Sequence, residues 1–312
     1  PELFLTVFFI SILLFFLGSG VWVAISMIGV SSIGMLIFTS RPVGDAMATT
    51  IWGTSSSWTL TALPLFVWMG EILFRTKLSE NLFEGLAPWM SRLPGGLIHV
   101  NVVGCALFAA ISGSSAATVA TVGKMSIPEL RKRNYPEKLL LGSLAGSGTL
   151  GLLIPPSIIL IIYGVTVQES IAKLFIAGII PGIMIAIIFM LYIITWSIIN
   201  KNEMPTSSEI FSLNDKMKGL KQLLPVIILI TAVIGSIYMG IATATEAASL
   251  GVVGALILSF FQKTLTKETF KLSLLGATKT SCMIAFILAG SSFLSLAMGF
   301  TGLPRNLAIW IQ

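Results

Sequence analysis

The chain has 312 residues, of which 55% are hydrophobic and only 10% are charged, and its mean hydropathy is +0.96. Soluble domains carry about 25% charged residues, so this composition excludes an ordinary soluble domain and indicates a polytopic membrane protein. The net charge of +6 comes from basic residues in short connecting segments. That distribution is a membrane-topology signal rather than a nucleic-acid-binding face, so no nucleic-acid partner is expected.

The predicted membrane segments follow one another as charge-free runs, and each approaches or exceeds the roughly 20 residues that a helix needs to span a bilayer. The first run is long enough for two passes, with a bend predicted at Gly18-Ser19-Gly20. The high content of Leu, Ile, Ala and Met favours helices throughout. The runs cover 3–40, 46–70, 93–123, 139–168, 174–200, 222–245, 247–262 and 280–304.

Basic residues between the runs predict the orientation, because cytoplasmic loops carry an excess of Lys and Arg. Both flanks of the run 93–123 are basic, so both of its ends are expected on the cytoplasmic side. We therefore predict a re-entrant hairpin with its tip at 112–115, although a single tilted helix of about 30 residues remains an alternative. The basic clusters are Arg75/Lys77/Arg92, Arg131–Arg133 with Lys138, Lys201/Lys216/Lys218/Lys221 and Lys263/Lys267/Lys271.

The chain also shows weak internal similarity. Residues 18–37 pair with the stretch that begins at Gly240, at an offset of 222, and residues 77–82 pair with 302–307, at an offset of 225. The predicted orientations of the two copies are opposite, which is the inverted-repeat architecture of secondary transporters. At this offset the counterpart of 93–200 would follow Gln312, so we expect the second repeat to be incomplete here.

These patterns predict a domain organisation of three regions. The first inverted repeat is predicted at 1–200, with the re-entrant hairpin at about 93–128 and a broken helix at about 139–165. The second region is a cytoplasmic linker at 201–222. The third, 223–312, is the start of the second inverted repeat, whose hairpin and broken helix are expected to be missing.

Three polar patches interrupt the apolar runs, and such irregular backbone is tolerated at membrane depth only where it is covered by protein or lines a cavity. They are the hairpin tip with Thr118 and Thr121, the stretch 142–160 with Pro155-Pro156, and 242–249 with Thr243, Thr245 and Glu246. Exposed carbonyls and hydroxyls at helix breaks suit an alkali cation, and N–H ends suit a carboxylate. The tip and the broken helix are therefore predicted to form a Na⁺ site beside a site for an anionic solute.

Each polar feature has a structural alternative. Small residues in membrane helices commonly serve close helix packing. Glu71 and Glu246, at the ends of apolar runs, are candidate functional acids; for each of them the alternative is structural pairing or a charge at a helix N-terminus. His99 is expected to be structural, and Cys105 and Cys282 to be small buried hydrophobes. With one histidine and two isolated cysteines, the sequence contains no credible catalytic set, so an enzyme is not expected.

Four stretches together resemble the large membrane subunit of the tripartite ATP-independent periplasmic (TRAP) transporters, within the ion transporter superfamily. They are LPGGLIHVNVVGCALFAAISGSSAATVATVGKMSIPEL (93–130), GSGTLGLLIPPSIILIIYGV (146–165), LFIAGIIPG (174–182) and TATEAA (243–248). The resemblance covers nearly the whole chain. It implies an all-α, inverted-repeat elevator transporter in the bacterial inner membrane that imports an organic acid with Na⁺. It also implies a small four-helix membrane subunit and a periplasmic substrate-binding protein as partners.

The resemblance further implies binding residues by motif. Na⁺ is expected at Ser112, Gly113, Ser114 and Ser115 of the tip and at Gly148, Thr149, Gly151, Pro155 and Ser157 of the broken helix. The carboxylate solute is expected at Ser114, Ser115, Pro156, Thr243 and Thr245. A scaffold from 1–60, 174–262 and the small subunit is expected to hold the moving core.

Two rival functions remain open from the sequence. One is a standalone Na⁺/carboxylate transporter of the divalent-anion symporter type, which needs no binding protein. The other is a membrane-embedded enzyme, disfavoured as above. The solute stays open among sialic acids, C4-dicarboxylates, other sugar acids and keto acids.

Overall fold

The computed structural model describes residues 2–76, 78–205 and 211–302. Within these ranges the regular structure is helical, with short 3₁₀ helices at Trp58–Thr61, Gly96–Ile98, Thr149–Leu152 and Lys201–Glu203. The α-helices are α1 Glu2–Gly18, α2 Val23–Phe38, α3 Val43–Ser55, α4 Ala62–Phe74, α5 Leu78–Met90, α6 His99–Ser112, α7 Ser115–Lys132, α8 Glu137–Gly148, α9 Ile158–Val167, α10 Ile171–Ile199, α11 Leu213–Tyr238, α12 Ala244–Phe261 and α13 Lys267–Phe300.

Local sequence explains several of these boundaries. The first apolar run forms two helices separated at the expected bend, where Gly20 has a φ of 78°, a conformation that glycine adopts without a Cβ penalty. Helix α11 begins with a capping box between Ser212 and Asp215, and α12 begins with one between Thr243 and Glu246. Each capping box satisfies two backbone N–H groups that the first helical turn leaves without partners.

The chain folds as two compact units, Pro1–Leu60 with Lys279–Gln312, and Thr61–Thr278. In the first unit, Phe9 and Val30 form one buried cluster, against which Leu294 and Met298 pack. A second cluster contains Met35, Phe293 and Ala297. Close approach is possible because a Cβ on Gly290 would lie only 2.8 Å from the carbonyl oxygen of Ala24.

The second unit contains the helices that carry the predicted site. Helices α6 and α7 pack on each other as a hairpin, and α8 packs on both of them. The 3₁₀ helix Thr149–Leu152 contacts α6, α7 and α10, while α4 packs against α6, α9 and α12. Helix α11 packs on α5 and α12. The hairpin is therefore enclosed by α4, α5, α8 and α10.

In the described ranges, four helices are long and apolar enough to cross a membrane. They are α10, α11, α12 and α13, and a fifth span is obtained if α3 and the segment Trp58–Phe74 count as one broken span. Many of their large apolar side chains are exposed, for example Ile180 at 77% and Ile199 at 78%. Exposure of that extent suits a lipid or protein environment rather than water.

Candidate functional site at two helix breaks

The hairpin turns at Gly113-Ser114, within the tip predicted from the sequence. Helix α6 ends at Ser112, and Gly113 has a φ of 58° while its N–H donates to the Ala109 carbonyl at 3.0 Å. Ser114 is the N-cap of α7, and its hydroxyl oxygen accepts from the N–H of Ala117 at 3.4 Å. A left-handed glycine followed by an N-cap serine thus reverses the chain in two residues.

Hydroxyl groups hold the tip together from inside. The Ser112 and Thr118 hydroxyl oxygens lie 3.0 Å apart, and the N–H of Ser114 donates to the Ser112 hydroxyl oxygen at 3.3 Å. The Thr118 hydroxyl also donates to the carbonyl oxygen of Ser114 at 2.8 Å. Ser112 and Thr118 are buried, whereas Ser114 and Ser115 are half-buried. Ser112 thus shapes the tip, and the half-buried serines are the more available oxygen ligands.

The second break follows α8, within the broken helix predicted from the sequence. The helix ends at Gly148, one 3₁₀ turn follows, and the backbone is irregular until α9 begins at Ile158. The Pro155–Pro156 peptide bond is cis. Neither proline can donate to a helical ladder, which accounts for the break. The buried Ser157 hydroxyl donates to the Leu152 carbonyl at 2.6 Å and ties the two sides of the break together.

The two breaks touch through their backbones. The N–H of Ile158 donates to the carbonyl oxygen of Gly113 at 3.3 Å. A Cβ on Gly113 would lie 2.5 Å from the Pro156 carbonyl oxygen, and a Cβ on Gly151 would lie 2.9 Å from the backbone nitrogen of Ser115. The structure therefore brings the hairpin tip directly against Gly151 and 155–158, and glycine is needed at both contact points.

Glycines on neighbouring helices close the site from the sides. A Cβ on Gly70 of α4 would lie 3.1 Å from both the Ile111 carbonyl oxygen and the Ser112 Cα. On α10, a Cβ on Gly178 would lie 2.6 Å from the Leu153 carbonyl oxygen, and one on Gly182 would lie 2.9 Å from Ile154 Cγ1. None of these glycines is among the residues predicted from the sequence. The four-residue spacing of Gly178 and Gly182, a small-xxx-small pattern, is the sequence signal that could have predicted their packing role. No such signal marks Gly70.

The electrostatics of the site come from helix ends rather than from charged side chains. The runs 93–123 and 139–168, which form the tip and the break, contain no charged residue. The C-terminal ends of α6 and α8 and the N-terminal ends of α7 and α9 all fall at the two breaks. Carbonyl ends attract cations and N–H ends attract anions. The arrangement therefore has the chemistry to place a cation and a carboxylate side by side.

The three predicted threonines have other local contacts or lie away from the hairpin. Thr149 is exposed, and its hydroxyl donates to the Gly146 carbonyl at 2.7 Å within its own helical turn. Thr243 caps α12, where its hydroxyl and its backbone N–H both donate to the Glu246 carboxylate at 2.8 Å. Thr245 lies on the first turn of α12, whose main partners are α4 and α11 rather than the hairpin.

The remaining candidate residues have structural surroundings. Glu71 forms an ion pair with Arg75 at 3.1 Å, and its carboxylate lies against Gly276 of α13. His99 is buried, with its Nε2 2.8 Å from the Pro94 carbonyl oxygen. Cys105 is buried as expected, but Cys282 is exposed on α13. The expectation of two buried cysteines was wrong for Cys282, because α13 carries apolar residues on faces that the chain itself leaves uncovered.

An ion pair links α7 to α8 at their basic ends, outside the apolar runs. Arg131 Nε donates to the two carboxylate oxygens of Glu137 at 3.2 and 3.1 Å. Hydrogen bonding to Arg131 lowers the pKa of the Glu137 carboxyl below its ordinary value, and the same contact raises the pKa of Arg131. Both side chains are exposed, so the ion pair joins the end of the hairpin to the start of the broken helix at the protein surface.

Comparisons with known proteins identify the family. Residues 9–312 match the family model described as Tripartite ATP-independent periplasmic transporter, DctM component. The chain is 31% identical to the C4-dicarboxylate TRAP transporter large permease protein DctM of Pseudomonas aeruginosa, covering 89% of this chain and 64% of that protein. It is 34% identical to the 2,3-diketo-L-gulonate TRAP transporter large permease protein YiaN of Escherichia coli, covering 85% and 62%.

A third relative is the sialic acid TRAP transporter large permease protein SiaM of Vibrio cholerae, 31% identical over 93% of this chain and 67% of that protein. The chain thus spans only about two thirds of the length of these relatives. The family model covers nearly the whole sequence, and the apolar helices fit a multi-pass membrane protein. The chain therefore belongs to the DctM family, the large permease component of the TRAP transporters.

Proposed function

We propose that this chain is part of a Na⁺-driven secondary transporter that imports an organic acid across the bacterial inner membrane. The observation that carries the proposal is the direct backbone contact between the two breaks, at Gly113 with Ile158 and at Gly151 with Ser115. Close contact fixes the positions of carbonyl and hydroxyl oxygens that would otherwise be mobile. A fixed set of neutral oxygens is the ligand chemistry with which broken membrane helices coordinate Na⁺.

The donor set fits the proposed ion. Half-buried Ser114 and Ser115 and the carbonyl ends of α6 and α8 offer oxygen atoms only. The N-terminal ends of α7 and α9 would bind the carboxylate of the solute beside the cation. Bound Na⁺ would offset part of the solute's negative charge and so reduce the cost of carrying it across the bilayer.

The solute class rests on charge and on the relatives. The three relatives are named for C4-dicarboxylates, 2,3-diketo-L-gulonate and sialic acid, and all of these are carboxylates. An uncharged tip with two N–H helix ends suits the carboxylate that they share. It offers no charged side chain with which to select one acid, so a delivering protein would make that choice.

The transport cycle that we propose is an elevator movement. The hairpin and broken helix would move as one body, because the tip is locked to the break, against a scaffold that includes 1–60, 174–262 and a small four-helix subunit. A periplasmic substrate-binding protein would deliver the solute. An inverted second repeat would supply a second hairpin and broken helix, and the nearly constant offset between 18–37 and the stretch from Gly240 supports that repeat.

The test is uptake into proteoliposomes that contain the complete permease, its small subunit and its binding protein. An inward Na⁺ gradient should drive accumulation, and replacement of Na⁺ by choline should abolish it. Ser114→Ala should raise the Na⁺ concentration needed for half-maximal uptake. Ser249→Ala is the matched control, because Ser249 is exposed and its hydroxyl donates to the Thr245 carbonyl within α12. Undiminished uptake driven by protons alone would reject the Na⁺ coupling.

The same vesicles separate the rival function. A standalone Na⁺/carboxylate transporter would accumulate solute when the binding protein is omitted, whereas the tripartite transporter should not. A membrane enzyme would convert the solute at a rate independent of the Na⁺ gradient.

A further inference from the structure

The crossing of α5 and α11 presents a surface that the transport site does not use. The two helices meet at glycines, where a Cβ on Gly219 would lie 2.7 Å from the Gly85 carbonyl oxygen. One turn away, toward the C-terminus of α5 and the N-terminus of α11, the Lys216 ammonium lies 5.4 Å from the centre of the Trp89 ring. Trp89 is 43% exposed. The crossing thus holds a lysine against a tryptophan at the surface of the second unit.

The exposed face of α11 beside this pair is amphipathic. Leu213, Met217, Leu220 and Leu224 are 80%, 51%, 37% and 45% exposed. At 100° per residue they fall within a stripe about 60° wide, and Lys216 and Lys221 lie about 40° beyond either edge of it. An apolar stripe with a basic residue on each side is the arrangement by which helices insert into the boundary between acyl chains and headgroups.

The face of α11 that carries the apolar stripe differs in charge from the opposite side of the helix. In the described part of the chain, neither Lys216 nor Lys221 forms an ion pair. Lys218 points the other way, into a crevice of about 730 Å³ whose other charged lining residues are Lys124, Arg133, Glu84, Glu129 and Asp215. The stripe face carries uncompensated positive charge beside apolar surface, whereas the crevice is mixed in sign.

We propose that Trp89, Lys216, Lys221 and the apolar stripe of α11 form a binding surface for anionic phospholipid in the cytoplasmic leaflet. The positive-inside rule places the N-terminal end of α11 on that side. The lysines contact headgroup phosphates, the acyl chains lie along the stripe, and the Trp89 ring holds the Lys216 ammonium at the level of the headgroups. This surface is independent of Na⁺ coupling and of the identity of the transported acid.

Native mass spectrometry of the purified permease in detergent, with equimolar phosphatidylglycerol and phosphatidylcholine, tests the surface. The wild type should retain phosphatidylglycerol in preference. The variant Lys216→Gln/Lys221→Gln should lose roughly fivefold in apparent affinity for that lipid per lysine replaced. The matched control Lys124→Gln/Lys218→Gln removes the same charge from the crevice and should leave the preference intact.

The outcomes are decisive in either direction. Equal losses in the two double variants would show that only net charge matters, and the surface would be rejected. Equal retention of both lipids by the wild type would also reject it. Loss of phosphatidylglycerol retention on addition of the small subunit would show that a protein partner occupies the face instead. Unchanged thermal unfolding temperatures of both variants would exclude misfolding as a cause.

Discussion

Substitution of Gly113 by alanine tests whether the hairpin tip is locked to the broken helix. Two effects add in this variant. Alanine in the left-handed region costs about 1–2 kcal/mol, and the φ of Gly113 is 58°. The added Cβ would also lie 2.5 Å from the Pro156 carbonyl oxygen and 3.1 Å from the Ile158 nitrogen, and such overpacking costs about 1–3 kcal/mol.

Gly240→Ala is the matched control that isolates the second effect. Gly240 has a φ of 69°, but a Cβ there would meet no atom within 4 Å. Both variants therefore suffer the backbone strain, and only Gly113→Ala displaces the tip from 156–158. We expect Gly113→Ala to be less stable than Gly240→Ala by about 1–3 kcal/mol.

The assay is the apparent unfolding temperature of the purified permease at a fixed scan rate, with and without Na⁺. A ligand that binds only the folded state raises that temperature. Wild type and Gly240→Ala should show the Na⁺ increment, and Gly113→Ala should lose it. If the two variants lose the same stability and both keep the Na⁺-induced rise in unfolding temperature, the contact between tip and break does not stabilise the protein, and the proposed lock is wrong.

Three further predictions concern single elements. Gly151→Ala should destabilise the protein, because its Cβ would lie 2.9 Å from the backbone of the tip. The control Gly142→Ala on α8 meets no atom within 4 Å and should be neutral or stabilising by about 0.5–1 kcal/mol. Comparison of the unfolding temperatures of the two variants checks this. Thr243→Ala should cost about 0.5–2 kcal/mol as a lost N-cap while Thr243→Ser retains most of it, and an unchanged half-saturating solute concentration in Thr243→Ala would exclude Thr243 from solute binding. Because the pKa of Glu137 is lowered, its ion pair with Arg131 contributes fully to folding stability above pH 4.5, the ordinary pKa, and this contribution is lost as pH falls through the lowered pKa. The stability advantage of wild type over Glu137→Gln should therefore shrink in that acidic range. An advantage that stays constant with pH would contradict the assignment.

Local rules were sufficient for the position of each break. Gly113 marks the tip because a two-residue reversal needs a left-handed residue, and Pro155-Pro156 marks the break because proline cannot extend a helical ladder. Glu246 was open between a functional acid and a helix N-terminal charge, and the capping box places it at the N-terminus of α12. The Thr-x-x-Glu spacing was the signal that favoured this role.

Local sequence rules could not predict the long-range contacts of the site. Nothing near Gly70 in the sequence distinguishes it from other helical glycines, yet it allows α4 to reach the Ile111 carbonyl at the tip. Thr149 was expected at the cation site by motif, and its hydroxyl donates to the Gly146 carbonyl within its own helical turn. Which hydroxyls remain available depends on neighbours that only the folded chain supplies.

The sequence by itself determined the membrane class and the positions of the hairpin tip and of the broken helix, because hydropathy, glycine and proline act over a few residues. Only the tertiary structure decided that the breaks meet, with Gly113 against Pro156 and Gly151 against Ser115. It also decided what Lys216 and Lys218, two residues apart, contact: Lys216 lies over the Trp89 ring and Lys218 lines the crevice, since α5 packs between them. Contacts of this kind depend on how distant segments pack, and a local sequence pattern does not determine that packing.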